Sequence, residues 1–173
     1  MDARSLGIVM IGYALLVALV IALLDVPFPG LFEPSGTSPV VITEVQLNPP
    51  CAMQADACAE WVEVGNTTDK AIPLTTWFLS TSEGGVSDTI ALMASGCPPT
   101  LPAESHCVIK RPGWLDRADE RVILNGLTAR HFYQTITPLL SDDAGDGRSW
   151  QRCPVVDDWR FRRPTPGEAN RCL

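Results

Sequence analysis

The chain has 173 residues, of which 46% are hydrophobic and 19% charged, and its formal net charge is −7 because 20 acidic residues outnumber 13 basic ones. Such an acidic balance repels phosphate backbones, which argues against nucleic acid as a partner. The part that follows the apolar N-terminus, about 140 residues, has the length of one domain with its own core.

Residues 6–24 form an unbroken apolar run. At ~1.5 Å per residue they span about 28 Å, close to the ~30 Å core of a bilayer, so we expect an N-terminal transmembrane helix within residues 1–25. Secretory signals have a shorter apolar region, so a retained anchor is favoured over a cleaved one. Arg4 precedes the run and Asp25 and Glu33 follow it. This bias predicts a single-pass membrane protein with a cytoplasmic N-terminus and a periplasmic or extracellular domain.

Small residues recur along one side of the predicted helix. Ala14, Ala18 and Ala22 repeat every fourth residue, and Gly7 and Ile11 fall on nearly the same stripe. Small side chains let a second helix approach closely in lipid, so we expect integral-membrane protein subunits as partners here. A plain contact with membrane lipid is the alternative.

Residues 26–39 are rich in proline and glycine, which predicts an extended spacer before a domain over residues 40–173. All six cysteines lie in that domain, and an even count in an oxidising compartment indicates disulfides. A zinc site is disfavoured because the chain has no C-x-x-C pair and only two histidines. Clustering favours three short-range bonds: Cys51 with Cys58, Cys97 with Cys107, and Cys153 with Cys172.

The sequence of the domain predicts a series of short strands with turn residues between them. Predicted strands cover residues 40–47, 60–64, 72–80, 89–93, 105–110, 121–124, 132–137 and 149–152, and one helical turn is expected at 114–119. Without a long helical period, this pattern predicts an all-β sandwich. We expect Trp77 and Leu79 to point inward, and Glu60 and Glu63 to contact water.

The first strand has an ambiguous inner face. Strict alternation over residues 40–47 places one set of side chains on one face and a second set on the other. The two sets are Val41, Thr43 and Val45, and Ile42, Glu44 and Gln46.

Little in the sequence points to catalysis, and we expect neither an enzyme, a cofactor nor a small-molecule substrate. His106 and His131 lie in predicted strands, where a structural histidine is the usual case. The acidic segment 142–147 resembles a calcium loop, but Ala144 stands where a third ligand is needed, so we expect an ordinary hairpin turn with Gly145 or Gly147 at positive φ. Asn66 begins a glycosylation sequon on a predicted exposed turn, with an ordinary turn asparagine as the alternative.

Basic residues are concentrated near the C-terminus. Arg160, Arg162 and Arg163 surround Phe161. This tail is a candidate contact for acidic lipid headgroups or an acidic protein face, and the alternative is a solvated arginine surface beside Trp159.

The order of the strand sequences resembles the lamin-tail domain family. The match begins with residues 41–45 before Asn48-Pro49, 60–64 before Asn66, and 74–79, and it continues more loosely to residue 170. The resemblance implies an immunoglobulin-like β-sandwich that serves as a secreted or membrane-tethered interaction module, and it implies no chemistry. Nuclear-envelope and DNA-binding roles are not carried over, because this chain has no coiled-coil rod and carries loop cysteines.

These observations predict a non-catalytic, single-pass membrane protein that braces a larger membrane complex, such as a respiratory or photosynthetic one, as a structural subunit. One alternative is a free-standing cell-surface adhesin or ligand-binding module. Another is a pilin-like filament subunit, although the basic leader and the early helix glutamate of that class are missing.

Overall fold

The computed structural model describes residues 37–50, 59–81, 89–128, 131–154 and 158–172. The chain divides into two units, Met1–Glu33 and Pro34–Leu173, and every described residue belongs to the second. The described strands are β1 (Val40–Gln46), β2 (Glu60–Asn66), β3 (Ile72–Pro73), β4 (Trp77–Thr81), β5 (Ile90–Ala91), β6 (Thr100–Leu101), β7 (His106–Arg111), β8 (Val122–Leu127), β9 (Phe132–Ile136), β10 (Ser149–Cys153) and β11 (Asp158–Arg162). One 3₁₀ turn, Leu92–Ser95, follows β5.

The strands form antiparallel sheets, as the all-β prediction requires. A five-stranded sheet has the order β11-β10-β1-β2-β7, and a four-stranded sheet has the order β5-β4-β8-β9. Strands β3 and β6 make a separate two-stranded sheet. Strand β1 contacts both β8 and β9, so the two large sheets face each other across a common core.

That core is built from the alternate side chains of both large sheets. Val62 and Val64 of β2 belong to the same core cluster as Leu79 and Leu124 of the other sheet, and all four are fully buried. Trp77 is the largest of the fully buried side chains among the described residues, and its ring stacks on Tyr133 with 6.0 Å between centroids. The inward orientation predicted for Trp77 and Leu79 is confirmed.

A bulge in β1 makes the strict alternation predicted for residues 40–47 wrong. The register with β2 shifts between Ile42 and Glu44, so one extra residue, Thr43, is accommodated there. As a result Ile42 and Val45 both pack into the core. Glu44 and Gln46 then face the opposite side of the sheet.

Several element boundaries also differ from the sequence prediction. Residues 72–80 are not one strand, because the chain turns at Thr75 and Thr76 and passes from the small sheet to the four-stranded one. The predicted helical turn at 114–119 is wrong, and the 3₁₀ turn lies at Leu92–Ser95 instead. Strands β6 and β11 were not predicted, since two-residue pairing and an arginine-rich edge strand leave little periodic signal.

Two of the three predicted disulfides are confirmed. Cys97 bonds to Cys107 at the start of β7, and Cys153 at the end of β10 bonds to Cys172. The predicted bond between Cys51 and Cys58 lies outside the described residues. Both confirmed bonds close short segments, as expected for cysteines that are near neighbours in sequence.

Replacing both Cys97 and Cys107 with alanine is expected to lower the free energy of unfolding by about 2–3 kcal/mol. The bond joins two buried side chains of the core and removes loop-closure entropy from the unfolded chain. Urea unfolding of the full-length protein in mild detergent measures the change. An unchanged midpoint in the double variant would contradict the assignment of a stabilising role.

Within the described ranges no helix is long and apolar enough to cross a membrane. The predicted anchor lies in residues 1–36, which the structure does not describe, and so does the predicted helix-packing stripe of Gly7, Ile11, Ala14, Ala18 and Ala22.

Candidate functional site

The outer face of the four-stranded sheet is uncharged. Directly opposite residues in antiparallel strands share a face, so the register of β4, β5, β8 and β9 defines its members. Phe78 is 38% exposed, Leu127 49% and Ile136 50%, which places these large apolar side chains at the surface. The outward positions are Phe78, Ser80, Ala91, Ile123, Asn125, Leu127, Phe132, Gln134 and Ile136.

The polar side chains near the centre of this face, Asn125 and Gln134, pair with each other. Gln134 Nε2 donates to Asn125 Oδ1 at 2.9 Å, and the two residues are directly opposite in β8 and β9. This hydrogen bond satisfies part of the polar capacity of the two amides. Most of the other outward side chains on this face are apolar. We call these nine outward positions the apolar face.

A cleft of about 680 Å³ opens beside β9, where the five-stranded sheet continues into β10 and β11. Ile136 and Leu139 line one side, and Trp150 and Trp159 line the other. The hydroxyl of Thr135, which also lines the cleft, is buried without a hydrogen-bond partner. A concave space with aromatic walls and an unsatisfied hydroxyl has the composition of a ligand site.

Aromatic and arginine side chains stack along the β10–β11 pair. The guanidinium of Arg148 lies 4.4 Å from the Phe161 ring centroid, and the Phe161 and Trp150 rings are 5.3 Å apart. Trp150 Nε1 donates to the Ser141 carbonyl at 3.0 Å. These contacts hold Trp150 in place as one wall of the cleft.

The outer face of the five-stranded sheet has the opposite character, since two acidic residues are buried there. Glu44 of β1 and Glu63 of β2 are directly opposite, and each is 0% exposed. Residues 163–172, which we call the C-terminal strap, lie over them. The expectation that Glu63 contacts water is therefore wrong, because the strap covers a strand face that would otherwise be solvated. Glu60, by contrast, is only partly buried.

Glu44 is held by donors from the sheet and from the strap. Ser149 Oγ and Gln151 Nε2 donate to its carboxylate from β10. From the strap, Thr165 donates its backbone N–H to Oε1 at 3.1 Å and its hydroxyl to Oε2 at 3.0 Å. Both carboxylate oxygens are satisfied, so burial does not leave Glu44 without partners.

Glu63 has fewer donors and a strongly shifted pKa. Thr43 Oγ1 donates to its Oε1 at 2.7 Å, and the backbone N–H of Gly167 donates to Oε2 at 2.6 Å. Burial raises the pKa of Glu63 to about 7, the two hydrogen bonds lower it, and the charge of Glu44 adds to the rise. The protonation state of Glu63 therefore changes near neutral pH.

The strap is also fixed by side chains beyond the two carboxylates. Asn170 Nδ2 donates to the carbonyl of Thr43 at 2.7 Å and to that of Arg152 at 2.9 Å. Gln151 Nε2 donates to the carbonyl of Arg163 at 2.7 Å. The disulfide of Cys172 attaches the far end of the strap to β10.

The predicted basic tail does not form one surface. Phe161 lies on the same face of β11 as Trp159 and contacts Trp150, whereas Arg160 lies opposite Gln151 on the other face and pairs with Asp158 at 3.3 Å. Arg162 at the end of β11 and Arg163 at the start of the strap are both exposed. Successive side chains of a strand point to opposite faces of the sheet. Phe161 therefore lies on one face of β11, and Arg160 and Arg162 lie on the other.

The two histidines differ in their surroundings. His106 lies in β7 against Gly65, and burial lowers its pKa while the charge of Glu44 opposes that change. His131 is exposed and its ring is 5.8 Å from that of Tyr133. Among the described side chains no group of three or more histidine, cysteine, aspartate or glutamate residues is placed to hold a metal ion.

Asn66 is 3% exposed, so the expectation of an exposed turn is wrong. Its amide nitrogen donates to the carbonyls of Lys70, Leu101 and Pro102. A glycan would be attached at this nitrogen, so the folded domain does not present it for modification. The signal that sequence reading missed is the position of Asn66 at the end of a strand, where a side chain can satisfy the loop carbonyls.

The acidic segment 142–147 is a turn, with Gly145 at φ 58° and Gly147 at φ 79°. Asp142 Oδ1 accepts the backbone N–H groups of Ala144 and Gly145. The turn precedes β10, which belongs to a different sheet from β9, so it does not close a hairpin as we expected.

Comparisons with family models, with curated proteins and with solved structures find no match to this chain.

Proposed function

We propose that the protein is a non-catalytic, membrane-tethered subunit that braces a larger membrane assembly. In this proposal the helix predicted at residues 6–24 anchors the chain, and an immunoglobulin-like sandwich of the lamin-tail type stands outside the cytoplasm. The confirmed disulfides support an oxidising compartment. The two facing antiparallel sheets support a sandwich.

The apolar face is the observation that carries this proposal. Charged residues make up 19% of the chain, yet none of the nine outward positions on the four-stranded sheet is charged. Soluble antiparallel sheets normally alternate apolar and polar residues, so that the solvated face is polar. A contiguous exposed apolar surface of this kind marks a protein interaction site.

The tether suits such a surface. A domain attached to the bilayer meets a membrane-embedded partner at a high effective concentration, so a modest contact area suffices for stable association. The fitting partner is the extracytoplasmic part of an integral-membrane protein that offers an apolar patch. The acidic remainder of the domain keeps it from associating with other acidic surfaces.

Leu127→Lys is expected to abolish co-purification of stoichiometric membrane partners from native membranes in mild detergent. Leu127 is an exposed member of the apolar face at the end of β8, so a lysine there would bring an unpaired charge into the interface, which costs several kcal/mol of binding free energy. Mass spectrometry of the retained proteins measures the loss.

Leu139→Lys is the matched control, because Leu139 has nearly the same exposure, 52%, but lies at the cleft and not on the apolar face. Equal retention of partners by Leu127→Lys and the wild type would contradict the proposal. Recovery of the wild-type protein without any companion would contradict it as well.

A free-standing ligand-binding module is the second candidate, and the cleft between Trp150 and Trp159 favours it. The unpartnered Thr135 hydroxyl supplies a polar group for a ligand there. In that case Trp159→Ala and Leu139→Lys would weaken the binding of a ligand in the cleft, and Leu127→Lys would not. The same pair of leucine variants therefore separates the two functions.

A further inference from the structure

We propose that the C-terminal strap, residues 163–172, opens and closes over the five-stranded sheet in response to the protonation of Glu63, which lies directly opposite the buried carboxylate of Glu44. This device is independent of the partner proposed above, since the apolar face belongs to the other sheet. Its parts are two buried acids, a short covering segment and a covalent tether at the end of that segment.

The strap reaches each acid through its backbone. The N–H of Thr165 points to Glu44, and the N–H of Gly167 points to Glu63. Gly167 has φ 82°, a left-handed conformation that glycine adopts without strain, and this directs its N–H toward the sheet. Closure therefore buries both acids at once, and opening hydrates both.

The donors around the pair are all neutral. They are the hydroxyls of Thr43, Ser149 and Thr165, the amide of Gln151, and the backbone N–H groups of Thr165 and Gly167. When both acids are ionised, two negative charges lie side by side in a buried site without a cation among these donors. Their repulsion and lost hydration act against closure.

Other titratable groups face the pair from the surrounding elements. His106 on β7 is close enough for the charge of Glu44 to influence its pKa. On the strap, Glu168 lies 3.9 Å from Arg171, and both side chains are more than 70% exposed, so they are screened by solvent. Glu63 is the group whose protonation changes near neutral pH.

The sign of the response follows from proton release. In the closed state Glu63 holds its proton up to about pH 7, against a reference value of 4.5 when it is exposed to water. Raising the pH releases that proton to solvent and favours the open strap, where the carboxylate is hydrated. The bond between Cys153 and Cys172 keeps the opened segment attached and allows it to close again.

Hydrogen–deuterium exchange of the full-length protein in detergent tests this device, with mass spectrometry of the peptide that covers the strap. After correction for intrinsic exchange, protection of the strap is expected to fall on the order of 10- to 100-fold between pH 5 and pH 8. Peptides from β2 and β8 are expected to keep their protection, since the two large sheets stay folded.

Glu63→Gln supplies the variant that cannot ionise, and its strap is expected to be equally protected at both pH values. Glu168→Gln, an exposed acid on the strap, is the matched control and should behave as the wild type. Thr43→Val removes a hydrogen bond that lowers the pKa of Glu63, so its transition should move to higher pH.

Three outcomes would overturn the proposal. They are strap protection that does not change with pH in the wild type, a change that persists in Glu63→Gln, and a loss of protection that occurs in β2 and β8 to the same extent as in the strap. The wild-type series decides the question even if Glu63→Gln does not fold.

Discussion

Trp77→Ala is expected to lower the free energy of unfolding by about 3–5 kcal/mol, the largest single effect in the described part of the chain. Trp77 is 1% exposed and is the largest of the fully buried side chains. Its removal would leave a cavity between the two sheets and would break the stacking with Tyr133. Thermal or urea unfolding in mild detergent measures the loss.

Gly126 gives this prediction a specific test. A Cβ at position 126, directly opposite Trp77 in β8, would lie 2.5 Å from three atoms of the indole ring. Gly126→Ala should therefore destabilise the wild type by about 1–3 kcal/mol through overpacking. The same substitution should cost little in the Trp77→Ala background, where the space is empty. Additive effects of the two substitutions would contradict the packing described here.

The free energy of unfolding is expected to fall as pH rises from 4.5 to 7, because of Glu63. Its pKa is about 7 in the folded protein and about 4.5 in the unfolded chain, so the folded state binds more protons in this interval. The contribution is fully present below about pH 4.5 and is lost above 7. The change is on the order of 3 kcal/mol, and equilibrium unfolding at a series of pH values measures it.

Glu63→Gln should remove most of that slope, because glutamine resembles the protonated acid and does not ionise. The control is Glu168→Gln, which removes an exposed carboxylate from the strap and should leave the slope intact. A wild-type free energy that rises with pH between 4.5 and 7 would show that Glu63 is not the group in control. That rise is the usual behaviour of acids whose pKa is lowered by folding.

The outer faces of the two large sheets differ in character. This difference supports the two proposals above, a docking role for the four-stranded sheet and a pH-dependent strap on the five-stranded sheet. The outer face of the five-stranded sheet is polar at its centre, yet the chain covers it with its own strap. On the four-stranded sheet the outer face is apolar, and none of the described segments is seen to hydrogen-bond across it. An exposed apolar surface of this kind is the basis on which we propose a second protein as the partner.

Much of the local structure could be predicted from the sequence. Alternating and β-branched residues mark β1, β2, β7, β8 and β9 because the pleat has a period of two. Closely spaced cysteines favoured the bonds Cys97–Cys107 and Cys153–Cys172, because short loops bring their ends together at little entropic cost. The inward direction of Trp77 followed from the same alternation.

The candidate surfaces could not be predicted in this way. The face that a strand turns to solvent depends on which other segments pack over it, and this is a property of the assembled sheets. Alternation assigned Glu63 to water because acids usually face solvent, but the strap covers it. The apolar face was not predicted, because Leu127 lay outside the predicted strand 121–124 and no face was assigned to Ile136 within the predicted strand 132–137.

Sequence alone therefore determined the class of elements, their approximate order and two covalent links, all of which arise from local periodicity or short-range spacing. Tertiary structure decided the bulge at Thr43, the separation of β3 from β4, the burial of Glu44 and Glu63, and the exposure of the apolar face. These depend on pairings between residues far apart in the chain. Burial is set by the whole packed arrangement, and no local window of sequence contains that information.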